Sequence, residues 1–210
     1  MAVPIRQPYN TPAEYLAHER QAPYKSEYLA GQIVAMGGAS REHNLITGNL
    51  FWVLKSQLRD RPCEVYTSDM RVKVSPRGLY TYPDSAVVCG EPQFEDAQVD
   101  SLLNPTLIVE VLSPSTEAYD RGAKFDYYRQ LPSLQAYLLV AQDQGKVEYF
   151  ARADASWVRT VTTDANAVVQ LPVIGCAVPL AEVYRQVVLP AAPARADDQG
   201  REAARGAEGD

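Results

Sequence analysis

Residues 106–112, Thr-Leu-Ile-Val-Glu-Val-Leu, are an apolar run of leucine and β-branched side chains interrupted by one carboxylate. Asn104-Pro105 precedes the run and Ser113-Pro114 follows it. A short run bounded in this way reads as a strand buried on both faces of a covered sheet. Strand alternation puts Glu110 on the face of Ile108 and Leu112, with Leu107, Val109 and Val111 on the other. An ionised carboxylate in such a place costs several kcal/mol unless a partner or a cation compensates it. The ordinary solution is a buried Glu satisfied by an arginine or by backbone amides. The other is a metal-binding or catalytic carboxylate, which needs partners elsewhere in the chain.

The bulk properties narrow the choice. A chain of 210 residues with 46% hydrophobic and 22% charged content fits a soluble protein with one substantial core. No stretch approaches the roughly 20 apolar residues of a membrane span. The N-terminus, Met-Ala-Val-Pro-Ile-Arg-Gln-Pro, has no apolar signal core, so a cytoplasmic protein is expected. Three widely spaced cysteines, Cys63, Cys89 and Cys176, suit a reducing compartment and exclude a zinc knuckle or a redox CxxC. With His18 and His43 as the only histidines, a metal would be a hard, oxygen-bound ion such as magnesium. The net charge of −6 argues mildly against a nucleic-acid partner. Between residues 55 and 77, however, Lys55, Arg59, Arg61, Arg71, Lys73 and Arg77 outnumber Asp60, Glu64 and Asp69. That stretch is either a positive path for a phosphate backbone or an ordinary solvated face.

In chain order, residues 1–10 read as a loose lead-in, 11–189 as a single domain and 190–210 as a disordered tail without aromatic residues. Thr11 caps a short helix that Pro12 opens and that runs to about Arg20. Residues 25–29 and 32–36 form a hairpin about Ala30-Gly31, with Glu27 in its first strand. Ser40 caps an amphipathic helix over 41–59 that buries Ile46, Leu50, Val53, Leu54 and Leu58. His43 lies in its first turn. Residues 63–74 and 80–89 read as a pair of strands, with Pro76-Arg77-Gly78 as a turn and Asp84 opening an otherwise apolar segment. Residues 90–104 read as a polar loop. After the Glu110 strand comes a helix from about Tyr119 to Leu131, on which Lys124 lies one turn after Asp120 and one before Tyr128. Strands follow at 134–141, 146–152, 157–161, 167–171 and 174–178, and a short helix over 180–188. The ordinary fates of Glu27, His43 and Lys124 are solvent-facing strand, cap and helix positions.

The order of these elements, and the motifs on them, resemble a known family. Glu27-Tyr-Leu-Ala-Gly31, Gly38-Ala-Ser40 with His43-Asn44, Ser68-Asp69-Met-Arg-Val, Tyr82-Pro-Asp84, Pro105 through Glu110 to Thr116, and Asp120-Arg-Gly-Ala-Lys124-Phe with Tyr128 are similar to the Uma family of restriction endonucleases. That family lies within the PD-(D/E)XK nuclease superfamily. The resemblance covers about residues 11–188. It implies an α+β (α/β sandwich) restriction-endonuclease-like core, a mixed central sheet flanked by helices, with an N-terminal helix and hairpin. One position departs from the superfamily pattern: the lysine two residues after the second acid is Leu112 here. Lys124, on the following helix, is the substitute that the resemblance implies.

The activity implied is Mg²⁺-dependent hydrolysis of DNA phosphodiester bonds, with Mn²⁺ as a substitute ion. Asp84, Glu110 and the Val111 carbonyl would hold the metal. Lys124 would orient the attacking water and stabilise the developing charge, and Glu27 would serve as an extra acid. His43 and Tyr128 are outer candidates. A homodimer is expected if both strands are cut with one site per chain. The competing reading is a catalytically silent nuclease fold that binds nucleic acid or assembles with partners, which Leu112 and the negative charge favour. A two-carboxylate glycosidase fits less well, because it has no need of Lys124 and the 9% aromatic content holds no sugar-stacking cluster.

Overall fold

The computed structural model describes residues 10–75 and 78–190. The expected lead-in and tail lie outside the described residues, apart from Asn10 and Pro190, as do Pro76 and Arg77.

The Glu110 run is strand β8 (Leu107–Leu112), and every one of its residues is buried. It sits inside a six-stranded sheet between β6 (Ser85–Cys89) and β9 (Ala136–Ala141), antiparallel to the first and parallel to the second. β3 (Cys63–Thr67) closes one edge of that sheet; β10 (Val147–Ala153) and β11 (Ser156–Thr162) extend the other. Alternation holds as the sequence predicts. Leu107, Val109 and Val111 pack with Ile46, Leu50, Val53, Leu54 and Leu58 of helix α2 (Arg41–Leu58). Ile108 and Leu112 pack on the other side with Val72, Val74, Leu79 and Tyr128. Each fully buried aliphatic side chain contributes about 1.5–3 kcal/mol, so the strand is clamped from both faces.

A second, five-stranded sheet runs in the order β2 (Gln32–Ala35), β1 (Ser26–Leu29), β5 (Leu79–Thr81), β4 (Arg71–Ser75), β7 (Ser101–Leu102). The chain leaves the larger sheet after β3, builds β4 and β5 in the smaller one, and returns as β6. What reads as one strand over 80–89 is therefore two, parted at Tyr82-Pro83-Asp84. Proline cannot donate to a ladder, so the break between sheets falls there. Helix α1 (Pro12–Glu19) carries the expected Thr11 cap, with the Thr11 amide donating in return to the Glu14 carboxylate, and packs Tyr15 and Leu16 on Tyr28 and Tyr80. The hairpin β12 (Val168–Leu171) and β13 (Cys176–Pro179) and the short helix α5 (Leu180–Val183) close over α2.

Three further expectations need correction. The helix expected over 119–131 is two short ones, α3 (Glu117–Arg121) and α4 (Ala123–Tyr128), parted at Gly122. The expected loop over 90–104 contains β7, which pairs in parallel with β4 through Arg71↔Ser101. Two of the cysteines read as reduced are joined: Cys63 and Cys89 face each other across β3 and β6 in a disulfide, and only Cys176 is free. A separation of 26 residues hides a cross-strand neighbour that register creates. Of the two readings of the basic stretch over 55–77, a continuous positive path is not what its described residues form. Arg71 is buried on Ser101, Tyr82 and Asp100. Lys73 pairs with Glu95 at 2.6 Å, and Arg61 caps the carbonyls of Ile174 and Gly175. Among the described residues no helix is long and apolar enough to cross a membrane.

Candidate active site

The break between sheets at residues 82–84 brings the predicted charges together. Asp84 lies one residue before β6. The register Ser85↔Val109 carries on to place it opposite Glu110. Its Oδ2 accepts the Val111 amide at 2.7 Å, and its Oδ1 is 2.8 Å from His43 Nε2. His43 reaches it because Ser40 caps α2 and aims the first turn of that helix at the end of β6. Glu27 comes from β1 in the other sheet, and its Oε1 accepts the Tyr82 amide at 3.4 Å.

Lys124 ties the sheets to one another. Its Nζ lies 2.9 Å from Glu110 Oε1, 3.2 Å from Glu27 Oε1 and 3.4 Å from Asp120 Oδ1. The rings of Tyr119 and Tyr128 lie 5.8 and 5.9 Å from the ammonium. Tyr128 donates its hydroxyl to Glu110 Oε1 at 2.9 Å and meets Thr81 Oγ1 at 2.9 Å. The break at Gly122 leaves Asp120 and Lys124 on the same side despite the interrupted helix.

The electrostatics follow from burial and pairing. Burial pushes the Glu110 carboxyl up to about 8, against the pull of Lys124. Burial disfavours the Lys124 ammonium, but the carboxylates of Glu110, Glu27 and Asp120 outweigh it and hold the amine protonated well above its usual value. Burial, with Glu110 and Glu27 beside it, also keeps the Tyr128 hydroxyl protonated, so it serves as a donor. The result is a fixed positive charge beside a carboxyl whose proton is held well above the ordinary carboxylate range.

Asp84, Glu110, Glu27 and Lys124 thus share one site. Val111 enters through its amide, and its carbonyl belongs to the same strand. Leu112 is buried in the apolar core, so Lys124 provides the amine near Glu110. Asp120 is the member that sequence reading missed. Its signal was its place one turn before Lys124, but its burial depends on packing that no local pattern reveals; Tyr137 donates to its backbone carbonyl at 3.1 Å. Among the described residues no group of three or more His, Cys, Asp or Glu side chains is disposed to hold a metal ion. The donor chemistry nonetheless fits a hard cation, since Asp84, Glu110 and Glu27 offer carboxylate oxygens alone.

Comparison with known proteins adds family and fold. A family model named Uma2 and described as "Putative restriction endonuclease" matches residues 12–181. Two proteins of Synechocystis sp. are similar over most of their length. The uncharacterized protein sll1609 is 41% identical over 161 residues, which span 76% of this chain and 91% of that one. The uncharacterized protein slr1290 is 37% identical over 179 residues, 85% of this chain and 93% of that one. Among solved structures, a protein of Anabaena variabilis described as "a putative nuclease belonging to DUF820" superposes with a TM-score of 0.69. The match covers 85% of this chain and 99% of that one at 16% identity, a likeness of fold.

Proposed function

The chain belongs to the Uma2 family and has an α+β restriction-endonuclease-like fold, and from that premise we propose that it is a divalent-cation-dependent endonuclease acting on DNA. The observation that carries the reading is the lysine held among acids from both sheets, with Lys124 Nζ 2.9 Å from Glu110 and 3.2 Å from Glu27. A purely structural ion pair has no need of a second sheet's carboxylate and of Asp84 opposite.

Asp84, Glu110 and the Val111 carbonyl would hold the ion, magnesium by preference with manganese able to replace it. Bound there, it would polarise the scissile phosphate and lower the pKa of water. The chain's own residues do the rest. His43 and the Val111 amide fix the two oxygens of Asp84, so that carboxylate is oriented before substrate arrives. Tyr128 and Lys124 converge on Glu110 Oε1 and fix its rotamer. Lys124, charged and nearly dry, faces the negative charge that develops on the phosphoryl oxygens; a charge preset in a site of low dielectric needs no reorganisation. Glu27, in contact with the same ammonium, is placed to take a proton from water. With one site per chain, cutting both strands calls for two copies.

Nicking of supercoiled plasmid at low salt, with and without Mg²⁺ or Mn²⁺, tests the reading. Metal-dependent nicking is expected from the parent and is lost in Asp84→Asn and Lys124→Ala. Loss in Asp84→Asn alone would keep the nuclease and remove Lys124 from the chemistry. A parent protein that nicks neither plasmid nor single strands under any metal would overturn the reading and leave a binding module on a nuclease fold.

A further inference from the structure

On the nuclease reading a protein of net charge −6 has to meet a polyanion somewhere, and most of its described cations are committed elsewhere. Arg152 binds the carbonyls of Arg129, Leu131 and Leu134. Arg20 pairs with Asp96 and Asp100, and Arg71 with Asp100. One cluster differs. Arg121, Lys146 and Arg159 all converge on the carboxylate of Glu148, which is 1% exposed. Arg159 Nε donates to Oε2 at 2.6 Å, Lys146 Nζ lies 3.1 Å from Oε1, and Arg121 reaches Oε1 as well. Arg121 also pairs with Glu117 at 2.7 Å. Three cations against two acids leave surplus positive charge, and one arginine would have satisfied Glu148. The side chain of Arg159 is 50% exposed, so the surplus faces solvent.

Register places this cluster beside the candidate active site. Glu110 pairs with Leu139, and Leu139 with Glu148. Directly paired residues point to the same face of a sheet, so Glu148 and Glu110 stand in one row, two strands apart. At about 4.8 Å per strand they are about 10 Å apart. Each strand of a duplex carries one backbone charge about every 3.4 Å of helix axis, so this gap, laid along the axis, corresponds to about three nucleotide steps. Arg121 also directly follows Asp120, which touches Lys124.

We propose that Arg121, Lys146 and Arg159, fixed by buried Glu148, form a phosphate subsite that grips the backbone of the substrate nucleic acid beside the candidate active site. The proposal rests on the nuclease reading above. Its recognition is of charge and not of sequence, because these side chains present donors to phosphate oxygens.

The test is binding of a short fluorescein-labelled DNA duplex in EDTA, followed by anisotropy from about 50 to about 200 mM salt. Each phosphate contact adds about 0.9 to the slope of log K against log salt. Lys146→Gln/Arg159→Gln is expected to lower that slope by about 2, so that its deficit against the parent shrinks about tenfold across the range. Lys146→Arg/Arg159→Lys keeps the charge and is expected to keep the parent slope. So is Lys55→Gln/Arg59→Gln, an equal charge loss at the C-terminal end of α2. An unchanged slope in the first pair would overturn the subsite. So would an equal fall in the α2 pair, which would mean diffuse charge, or a loss in the charge-keeping pair, which would mean packing. No duplex binding by the parent would overturn it too. The plasmid assay separates the two claims. A parent that nicks while the first pair keeps its slope sinks the subsite alone. A parent that never nicks while the slope falls sinks the nuclease reading and leaves the subsite.

Discussion

At Lys124 a single ammonium contacts oxygens from Glu27, Glu110 and Asp120 that packing forces together. Removing one partner of a buried ion pair strands the others, at a cost of about 3–5 kcal/mol. Lys124→Met is therefore expected to lose about that much stability in urea unfolding, and at pH 9, above the Glu110 value of about 8, Glu110→Gln added to it should restore part of the loss. Additive losses in the double variant would mean that the two side chains do not share a charge balance. Glu110→Gln alone keeps an acceptor for Tyr128 and for Lys124. It should stay folded while losing metal-dependent cleavage. Unchanged cleavage would remove Glu110 from the mechanism. Residues of this kind were legible for a physical reason. A carboxylate inside an apolar strand is conspicuous in sequence because its cost demands a partner. Asp120 carries no such mark: it sits among polar neighbours on a short helix, and only the fold shows that it is buried.

The elements show where local rules suffice. Thr11 and Ser40 cap their helices through bonds within a few residues, and both helices start where the sequence placed them. β7 is held by pairing with β4, thirty residues away in sequence, so a two-residue strand inside a polar loop left no periodic trace. The disulfide is of the same kind, a contact made by register. Thiol titration of the denatured, unreduced protein is expected to find one reactive cysteine, Cys176, and three after reduction. Three before reduction would mean that Cys63 and Cys89 are thiols. Closing a loop of that span stabilises by about 3–4 kcal/mol in the chain-entropy account, so Cys63→Ser/Cys89→Ser should lower Tm. Gly78 is a tight joint between elements. It has φ +76°, and an added Cβ would lie 2.6 Å from Pro12 Cγ and 2.8 Å from Tyr28 Cε1. Both atoms belong to rings packed where α1 meets β1, so neither can swing aside. Gly78→Ala is expected to cost about 2–4 kcal/mol, read as a lower urea midpoint. A cost near zero would show that α1 can lift off the small sheet freely.

For the whole molecule, charged groups of two kinds set how stability depends on pH. Asp100 sits between Arg20 and Arg71, and its hydrogen bonds to Arg20 hold its carboxyl below the usual range. Glu148 is lowered as well, since Arg121, Lys146 and Arg159 outweigh its burial. Groups of this kind bind fewer protons folded than unfolded. Their stabilisation is complete above the unfolded carboxylate value and is lost as pH falls below it. Glu110 has the opposite sign, because burial raises it to about 8 from an ordinary 4.5. Between those values the folded chain keeps a proton that the unfolded chain has lost. Its contribution is therefore complete below 4.5 and declines as pH rises towards 8. Together the two kinds give an acid limb that climbs to about pH 4–5 and a second limb that falls by a few kcal/mol towards pH 8. Glutamine does not titrate, so Glu110→Gln should abolish the falling limb and leave the acid limb in place. Urea midpoints measured from pH 3 to pH 9 check this. A falling limb that survives in Glu110→Gln would assign the proton to another group, and the carboxyl beside Lys124 would then be ionised throughout. A limb that vanishes would also bear on the chemistry. Any cation that needs the Glu110 carboxylate must displace this proton below pH 8, so cation binding should release a proton and strengthen as pH rises through that value.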